Sequence, residues 1–361
     1  MLRRALLSSA TLALAAAGTL ACPSLASAQT TSAARALPGW RRFSVTSRVT
    51  IPDEGAAQLY LPLAQTAGGY QASADLKWQT NGSAAVVQDD HYGADILRVS
   101  WDGKESGPKS IDVVQIVAAC DRRGASALLP VTSAERAFWL EPTESVPVDG
   151  IVGATAQRIV GNRTDPKEKL RALYDWVVDN TSRNPETPGC GFGDVKAMLE
   201  SGNLSGKCAD INGLMTALAR GAGLPARDVY GIRVANSRYF RTMGASGVIS
   251  KAQHCRSEVY LEGQGWFPVD PADVRKVILD HKLDPKSAEI ADLREKLFGM
   301  WEMNWVGYNS ATDIRLPGAA AQQKPNFAFL MYPCAFTSAG QPDCLDPARF
   351  QYEITAREEV A

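Results

Sequence analysis

The feature that most restricts the fold of this chain is a change of hydrophobic period midway along it. Before Cys120 apolar residues alternate with polar ones, whereas beyond Glu141-Pro142-Thr143-Glu144-Ser145-Val146-Pro147 they recur every third or fourth position. A period of two belongs to strands with one buried face, and a period near 3.6 to helices lying on a core. Phe43, Val45, Val49 and Ile51 alternate with Arg42, Ser44, Thr46, Arg48 and Thr50, and Tyr70, Ala72, Leu76 and Trp78 alternate with Gln71, Ser73, Asp75, Lys77 and Gln79. Further runs at 58–61, 96–101 and 111–119 are separated by turn formers such as Asn81-Gly82-Ser83 and Asp102-Gly103-Lys104. These predict an all-β amino-terminal domain, expected as a sandwich. The proline-rich polar stretch reads as a linker. Past it, Asp165 caps a helix, Pro166 takes its first position, Glu168 completes a capping box, and Leu170, Leu173, Tyr174 and Val177 form its buried stripe.

The chemistry-bearing stretch is Gly206-Lys207-Cys208-Ala209-Asp210-Ile211-Asn212-Gly213-Leu214-Met215. Ile211, Leu214, Met215 and Leu218 keep helical spacing, so Cys208 falls in the first turn of a helix that ends at Arg220-Gly221. Unpaired N–H groups and the positive end of the helix dipole favour a thiolate there, which suits a nucleophile. Downstream, His254 precedes the alternating run Glu258-Val259-Tyr260-Leu261, and Trp266-Phe267-Pro268-Val269-Asp270 returns after Gly263 and Gly265. This predicts a β-hairpin. A three-residue loop over 262–264 pairs Leu261 with Gly265 and sets Asp270 opposite Arg256. In that register His254 and Asp270 are diagonal neighbours on one face, about 7–8 Å apart at the backbone, which their side chains span. A two-residue loop would put them on opposite faces. Cys208, His254 and Asp270 are then the residue types of a thiol nucleophile, a general base and acid, and a carboxylate that orients the imidazole.

The run from Gly206-Lys207-Cys208 to Gly221-Ala222-Gly223-Leu224-Pro225-Ala226-Arg227, followed by His254, Glu258-Val259-Tyr260, Gly265-Trp266 and Val269-Asp270-Pro271, resembles the bacterial transglutaminase-like superfamily. The resemblance covers 151–273 and rests on several blocks in order rather than on one motif. It implies an α+β fold with a papain-like core, Cys208 as nucleophile, His254 as base and acid, and Asp270 as orienter. An amino-terminal β domain also fits exported members. The chain departs from the family at Arg256, where many members carry an aromatic residue, and at Cys255 beside the histidine. Cys255 is expected to be buried or disulfide-bonded, with its side chain turned away from that of His254. A second oxyanion donor, besides the Cys208 N–H, is sought at Trp176 or in the loop over 181–193. Arg227 is expected to be structural, and Asp210 to cap or pack near the site.

The first residues read as export machinery: Arg3 and Arg4, an apolar run over 5–20, and Ala26-Ser27-Ala28 as a cleavage site. A lipoprotein anchor at Cys22 is the rival reading, and the apolar run is too short for a membrane span. Cys120, Cys190, Cys208, Cys255, Cys334 and Cys344 remain after cleavage. Cys334 and Cys344 flank a turn-rich loop and are the pair expected to form a disulfide. The helix over 290–298 leads to Trp301-Glu302-Met303-Asn304-Trp305-Val306-Gly307-Tyr308-Asn309, which suits either an acceptor cleft or a core edge. Strands are expected over 327–332 and 350–355.

The expected organisation is a signal peptide over 1–28, an amino-terminal β domain over 29–140, a linker over 141–150, a catalytic core over 151–283 and an extension over 284–361 packed on that core. With a formal charge of −1 and scattered basic residues, nothing points to nucleic acid. No cofactor or metal is expected, and His91 beside Asp89 and Asp90 reads as solvated loop. The expected function is an exported, periplasmic or secreted cysteine enzyme that cleaves or transfers a protein or peptide amide through a Cys208 thioester. The alternative is an inactive relative that holds a peptide or cell-wall partner.

Overall fold

The computed structural model describes residues 39–105, 107–125 and 131–359, so the expected signal peptide and Cys22 lie outside the described residues. Six strands open the chain: β1 (Trp40–Ile51), β2 (Ala57–Pro62), β3 (Gln71–Thr80), β4 (Ser83–Gln88), β5 (Asp95–Trp101) and β6 (Lys109–Cys120), with two-residue β7 (Arg122–Arg123) after them. Helices α1 (Ser133–Phe138), α2 (Gly150–Val160) and α3 (Pro166–Asn180) follow. Next come β8 (Ser182–Arg183), α4 (Val195–Ser201), β9 (Ser205–Gly206), α5 (Cys208–Gly221), β10 (Ala226–Arg233) and β11 (Gly247–Val248). The hairpin β12 (Gln253–Leu261) and β13 (Gly265–Val269) leads into α6 (Pro271–His281) and α7 (Ala288–Leu297). The chain closes with β14 (Met300–Trp301), β15 (Trp305–Asn309), β16 (Cys334–Thr337), α8 (Pro347–Phe350) and β17 (Tyr352–Glu359).

The alternating sequence does build two sheets, ordered β11-β17-β1-β6-β3 and β16-β2-β5-β4. Their inward residues, among them Phe43, Val49, Leu59, Leu97, Val99 and Ile111, share one apolar core. Two members come from the far end of the chain. β17 runs antiparallel to β1 from Val49↔Tyr352 to Arg42↔Glu359, and β16 pairs with β2 from Cys334↔Tyr60. The tail expected to extend the catalytic core therefore also enters both amino-terminal sheets. Within it, 327–332 is irregular rather than a strand. Its rings stack instead, Phe327 on Phe329 and Phe329 on Tyr230.

The second half holds the sheet β13-β12-β10-β15 with helices packed against it, so the whole is an α+β fold. Helix α3 forms with the Asp165 side chain accepting from the Glu168 N–H and Leu170, Leu173, Tyr174 and Val177 fully buried, although Glu168 does not return the bond that would complete the expected capping box. Helix α5 goes further than its amphipathic stripe predicts, because every residue from Cys208 to Arg220 is buried. Ile211, Leu214, Met215 and Leu218 face the core, each contributing about 1.5–3 kcal/mol through burial. On the other faces Ala209, Gly213, Ala217 and Ala219 are small enough to let neighbouring elements close in. A helix buried on all sides is a rigid mount for its first residue. No helix among the described residues is long and apolar enough to cross a membrane.

Candidate active site

Cys208 is the first residue of α5, after an extended Lys207. Strands β8 and β9 pair in parallel, Arg183 opposite Gly206, and this bridge brings the loop over 184–193 to the helix start. Asp210 locks the two together. Its carboxylate accepts from the N–H groups of Phe192 and Gly193, both at 2.9 Å, and of Lys207 at 2.8 Å. Two glycines make room for it: a Cβ on Gly191, whose φ is +94°, would lie 1.9 Å from an Asp210 oxygen, and one on Gly206 would lie 2.4 Å away. The capping role expected of Asp210 is thus present, and it also ties loop to helix.

His254 lies on β12, opposite Gly231 of β10. The hairpin adopts the three-residue loop, with Leu261 opposite Gly265 and Ser257 opposite Val269. That register brings the His254 Nε2 to 2.8 Å from Asp270 Oδ2. Asp270 is also the N-cap of α6, with Pro271 at the first helical position, so its backbone is fixed by a helix start. Asn212 of α5 donates to Asp270 Oδ1 at 3.2 Å, and Trp305 Nε1 donates to the His254 carbonyl at 2.8 Å. Arg256, at the departure from the family pattern, is buried with its Nε 3.4 Å from Asp270 Oδ2 and its guanidinium over the Trp305 ring.

A second carboxylate was missed at the sequence level. Asp273 is fully buried, 3.6 Å from His254 Nε2, and paired with Arg233 at 2.6 Å. Its signal was the Asp270-Pro271 helix start, which puts Asp273 one turn on, beside its cap. Burial opposes the charge on Asp273, but Arg233 and His254 outweigh it and hold the pKa well below the carboxylate range. For His254, burial and Arg233 work against protonation, while Asp273 and Asp270 overcome them and raise its pKa. His254, Asp270 and Asp273 offer three ligand atoms within 4.8 Å of one another. Arg233 and Arg256 already sit against these carboxylates, so a dication there would have to displace them.

The Cys208 pKa lies well below the ordinary thiol value. Hydrogen bonds with Cys190 and then Cys255 are the main causes; burial opposes them, and the hydrogen bond and charge of His254 add to the lowering. Since Nε2 of His254 is taken by Asp270, Nδ1 is the ring nitrogen left for the sulfur. Cys190 is raised well above its usual value, by its hydrogen bond with Cys208 and by burial, and Tyr332 hydrogen-bonds it in turn. Cys255 is buried as expected and is raised, by burial and then by its hydrogen bond with Cys208, which brings its thiol to the sulfur.

Cys208, Cys190 and His254 line a cavity of about 400 Å³. Among the described residues no acceptor takes the Cys208 N–H, which leaves it free for an oxyanion. Trp176 lines a different depression, with Ile151 and Leu199, and is not part of this cavity. The 301–309 segment is core: Trp301 and Trp305 are fully buried, and it backs the histidine strand. Arg227 is structural, donating to Glu258 at 2.5 Å. His91 packs edge-on against the Tyr92 ring and at a tilt against Phe138. Cys334 and Cys344, expected as a disulfide, are free thiols, as are the other four. Gln341, inside the loop that was to close the bridge, donates to Cys334 at 3.4 Å, and Asn326 faces Cys344 at 4.0 Å. Burial pushes the two thiols up to about 12 and about 11.

A helix-borne thiol beside a strand-borne imidazole and its carboxylate places the chain in the class of α+β folds built around a cysteine–histidine–aspartate cluster. Residues 153–271 match the model of the transglutaminase-like superfamily. An uncharacterized protein of Haemophilus influenzae is 33% identical over 367 residues, which cover 94% of this chain and 97% of that protein. The chain belongs to the transglutaminase-like superfamily. The crystal structure of a candidate cysteine protease from Cytophaga hutchinsonii shares the fold, with a TM-score of 0.54 and 14% identity over 89% of this chain and 92% of that one. The periplasmic domain of TgpA from Pseudomonas aeruginosa aligns with 64% of this chain and 89% of that one at 19% identity, with a TM-score of 0.35.

Proposed function

We propose that this is an exported cysteine enzyme that cleaves or transfers a peptide or protein amide through a thioester on Cys208. The observation that carries the reading is a thiol at a helix N-terminus that shares one cavity with an imidazole, itself held at 2.8 Å by a buried carboxylate. The Cys208 sulfur attacks the amide carbon, and the C–N bond breaks as His254 passes its proton to the leaving amine or ammonia. Water or a second amine then attacks the thioester, His254 takes its proton, and the acid or new amide leaves with Cys208 restored. Asp270 keeps the imidazole oriented and supports its charged form. The Cys208 N–H faces the developing oxyanion. The basic, apolar and small-residue leader supports export, with cleavage near Ala28.

At neutral pH iodoacetamide should label Cys208 at least about tenfold faster than a free thiol, of which only a few per cent is thiolate. The Cys208→Ala protein should lack that adduct. Labelling at the free-thiol rate would remove the basis of the enzyme reading and leave the inactive, peptide-holding one. Monodansylcadaverine with a glutamine-rich protein then separates amine transfer from hydrolysis, since only transfer makes a fluorescent product.

A further inference from the structure

The cavity over Cys208 is lined by five cationic side chains, Arg183, Lys207, Arg233, Lys251 and Lys276, and by no carboxylate. For a chain of formal charge −1, that is a local concentration of one sign. Two of the five are neutralised, Arg233 by Asp273 at 2.6 Å and Lys276 by Asp280. The other three, Arg183, Lys207 and Lys251, take part in no ion pair among the described residues, although ion pairs within 4.0 Å are common elsewhere on the surface. They come from separate elements that surround the thiol. Arg183 sits in β8 beside Gly206, Lys207 immediately precedes Cys208, and Lys251 lies in the turn that leads to His254. Burial and then the Arg183 charge lower the Lys207 pKa, against the opposing pull of Cys190, Cys208 and Glu186. The positive end of α5 points to the same place. Cations crowded in a concave site repel one another, and the field they focus favours an anionic visitor.

On the reading that Cys208 is the nucleophile, we propose that the cleft takes an anionic acyl donor: a peptide whose scissile amide is flanked by carboxylates held by Arg183, Lys207 and Lys251. The carboxylates supply what no residue lining the cavity provides, since the only negative group the lining holds on this reading is the Cys208 thiolate itself. They belong either to acidic side chains or to a free chain-terminal carboxyl group.

The test compares alkylation of Cys208 in the full protein by iodoacetate, an anion, and by iodoacetamide, its neutral counterpart. Both need the same thiolate, so changes in thiol pKa or fold cancel in the ratio of their rates. The ratio should exceed that of a free thiol by about tenfold at low ionic strength. It should collapse as salt rises from about 0.01 M to about 1 M and the screening length shrinks from about 30 to about 3 Å. Arg183→Gln, Lys207→Gln and Lys251→Gln should each lower it by about 2–5-fold. Fluorescent peptides binding to the Cys208→Ala protein identify the source. A glutamyl peptide with blocked ends reports side-chain carboxylates, a triglycine free acid reports the terminal carboxyl, and preferential binding of either over the neutral amide supports the proposal. Fast iodoacetamide labelling with a free-thiol ratio that no substitution moves would overturn it and leave the enzyme reading intact. Iodoacetamide labelling at the free-thiol rate would overturn both.

Discussion

Replacing Cys190 by alanine tests the electrostatics of the site at the contact that contributes most to them. The Cys190 thiol is the leading cause of the low Cys208 pKa, ahead of Cys255 and His254, and its sulfur also lies 3.3 Å from the Gln253 carbonyl, which competes for the same S–H. Its backbone carbonyl accepts from the Ala209 N–H at 2.8 Å, a bond the substitution leaves in place, so the loop should stay docked. A hydrogen bond to a charged group contributes about 1.5–3 kcal/mol, and S–H is a weak donor, so the lower end applies. At about 1.4 kcal/mol for a tenfold change in ionisation, the midpoint for thiolate formation should rise by about one pH unit. The assay is the pH dependence of iodoacetamide alkylation, with the adduct mapped to Cys208 by mass spectrometry. Cys190→Ser retains an O–H donor and should keep the midpoint near that of the wild type. An unchanged or lower midpoint in Cys190→Ala would refute the idea that this thiol stabilises the Cys208 thiolate.

Asp270→Asn should lower kcat/KM for an amide substrate by roughly 10³-fold, since an amide can hold the wrong imidazole tautomer. Adding Asp273→Asn should deepen the loss, because Asp273 lies 3.6 Å from the same ring nitrogen. Asp228, buried on β10 and accepting from Thr216 and Ser257, has a pKa pushed up to about 6, chiefly by burial. A carboxyl whose folded pKa is raised is stabilising only while protonated, and that advantage is lost as pH rises from the unfolded value, about 4, through 6. Asp228→Asn should therefore unfold at higher denaturant concentration than the wild type at neutral pH, by about 2–3 kcal/mol, with the gap closing below about pH 4. Gly206→Ala should destabilise the fold by about 1–3 kcal/mol in denaturant titrations and slow Cys208 labelling, because the new methyl group meets the Asp210 carboxylate that positions the helix start.

What could be read from the chain beforehand was what local pattern controls. Alternation located β1, β3, β5 and β6, and the choice between two hairpin loops fixed whether His254 could meet Asp270. The glycine before Cys208 and the helical spacing after it placed the thiol in the first turn of α5. Strand β4 was missed because 83–88 runs Ser-Ala-Ala-Val-Val-Gln without alternation on an exposed edge. Pairing over more than 250 residues leaves no local mark, so nothing near Tyr352 or Cys334 indicated that β17 and β16 would complete the amino-terminal sheets. The same limit hid the electrostatic partners of the site. Nothing near Cys190 marks it as a partner of Cys208, and the β8–β9 bridge and the Asp210 clamp carry it to the sulfur. Asp273 and Arg233 are 40 residues apart and meet only once α6 and β10 are packed.

The most direct test of the account is the ionisation state of Cys208 itself. The ultraviolet absorbance of thiolate, measured as wild type minus Cys208→Ala across a pH titration, reads it without any substrate. The difference signal should already be present at neutral pH and disappear only well below the ordinary thiol value of about 8.5. A signal that emerges only at or above that value would contradict the claim that Cys190, Cys255 and His254 hold Cys208 as a reactive thiolate.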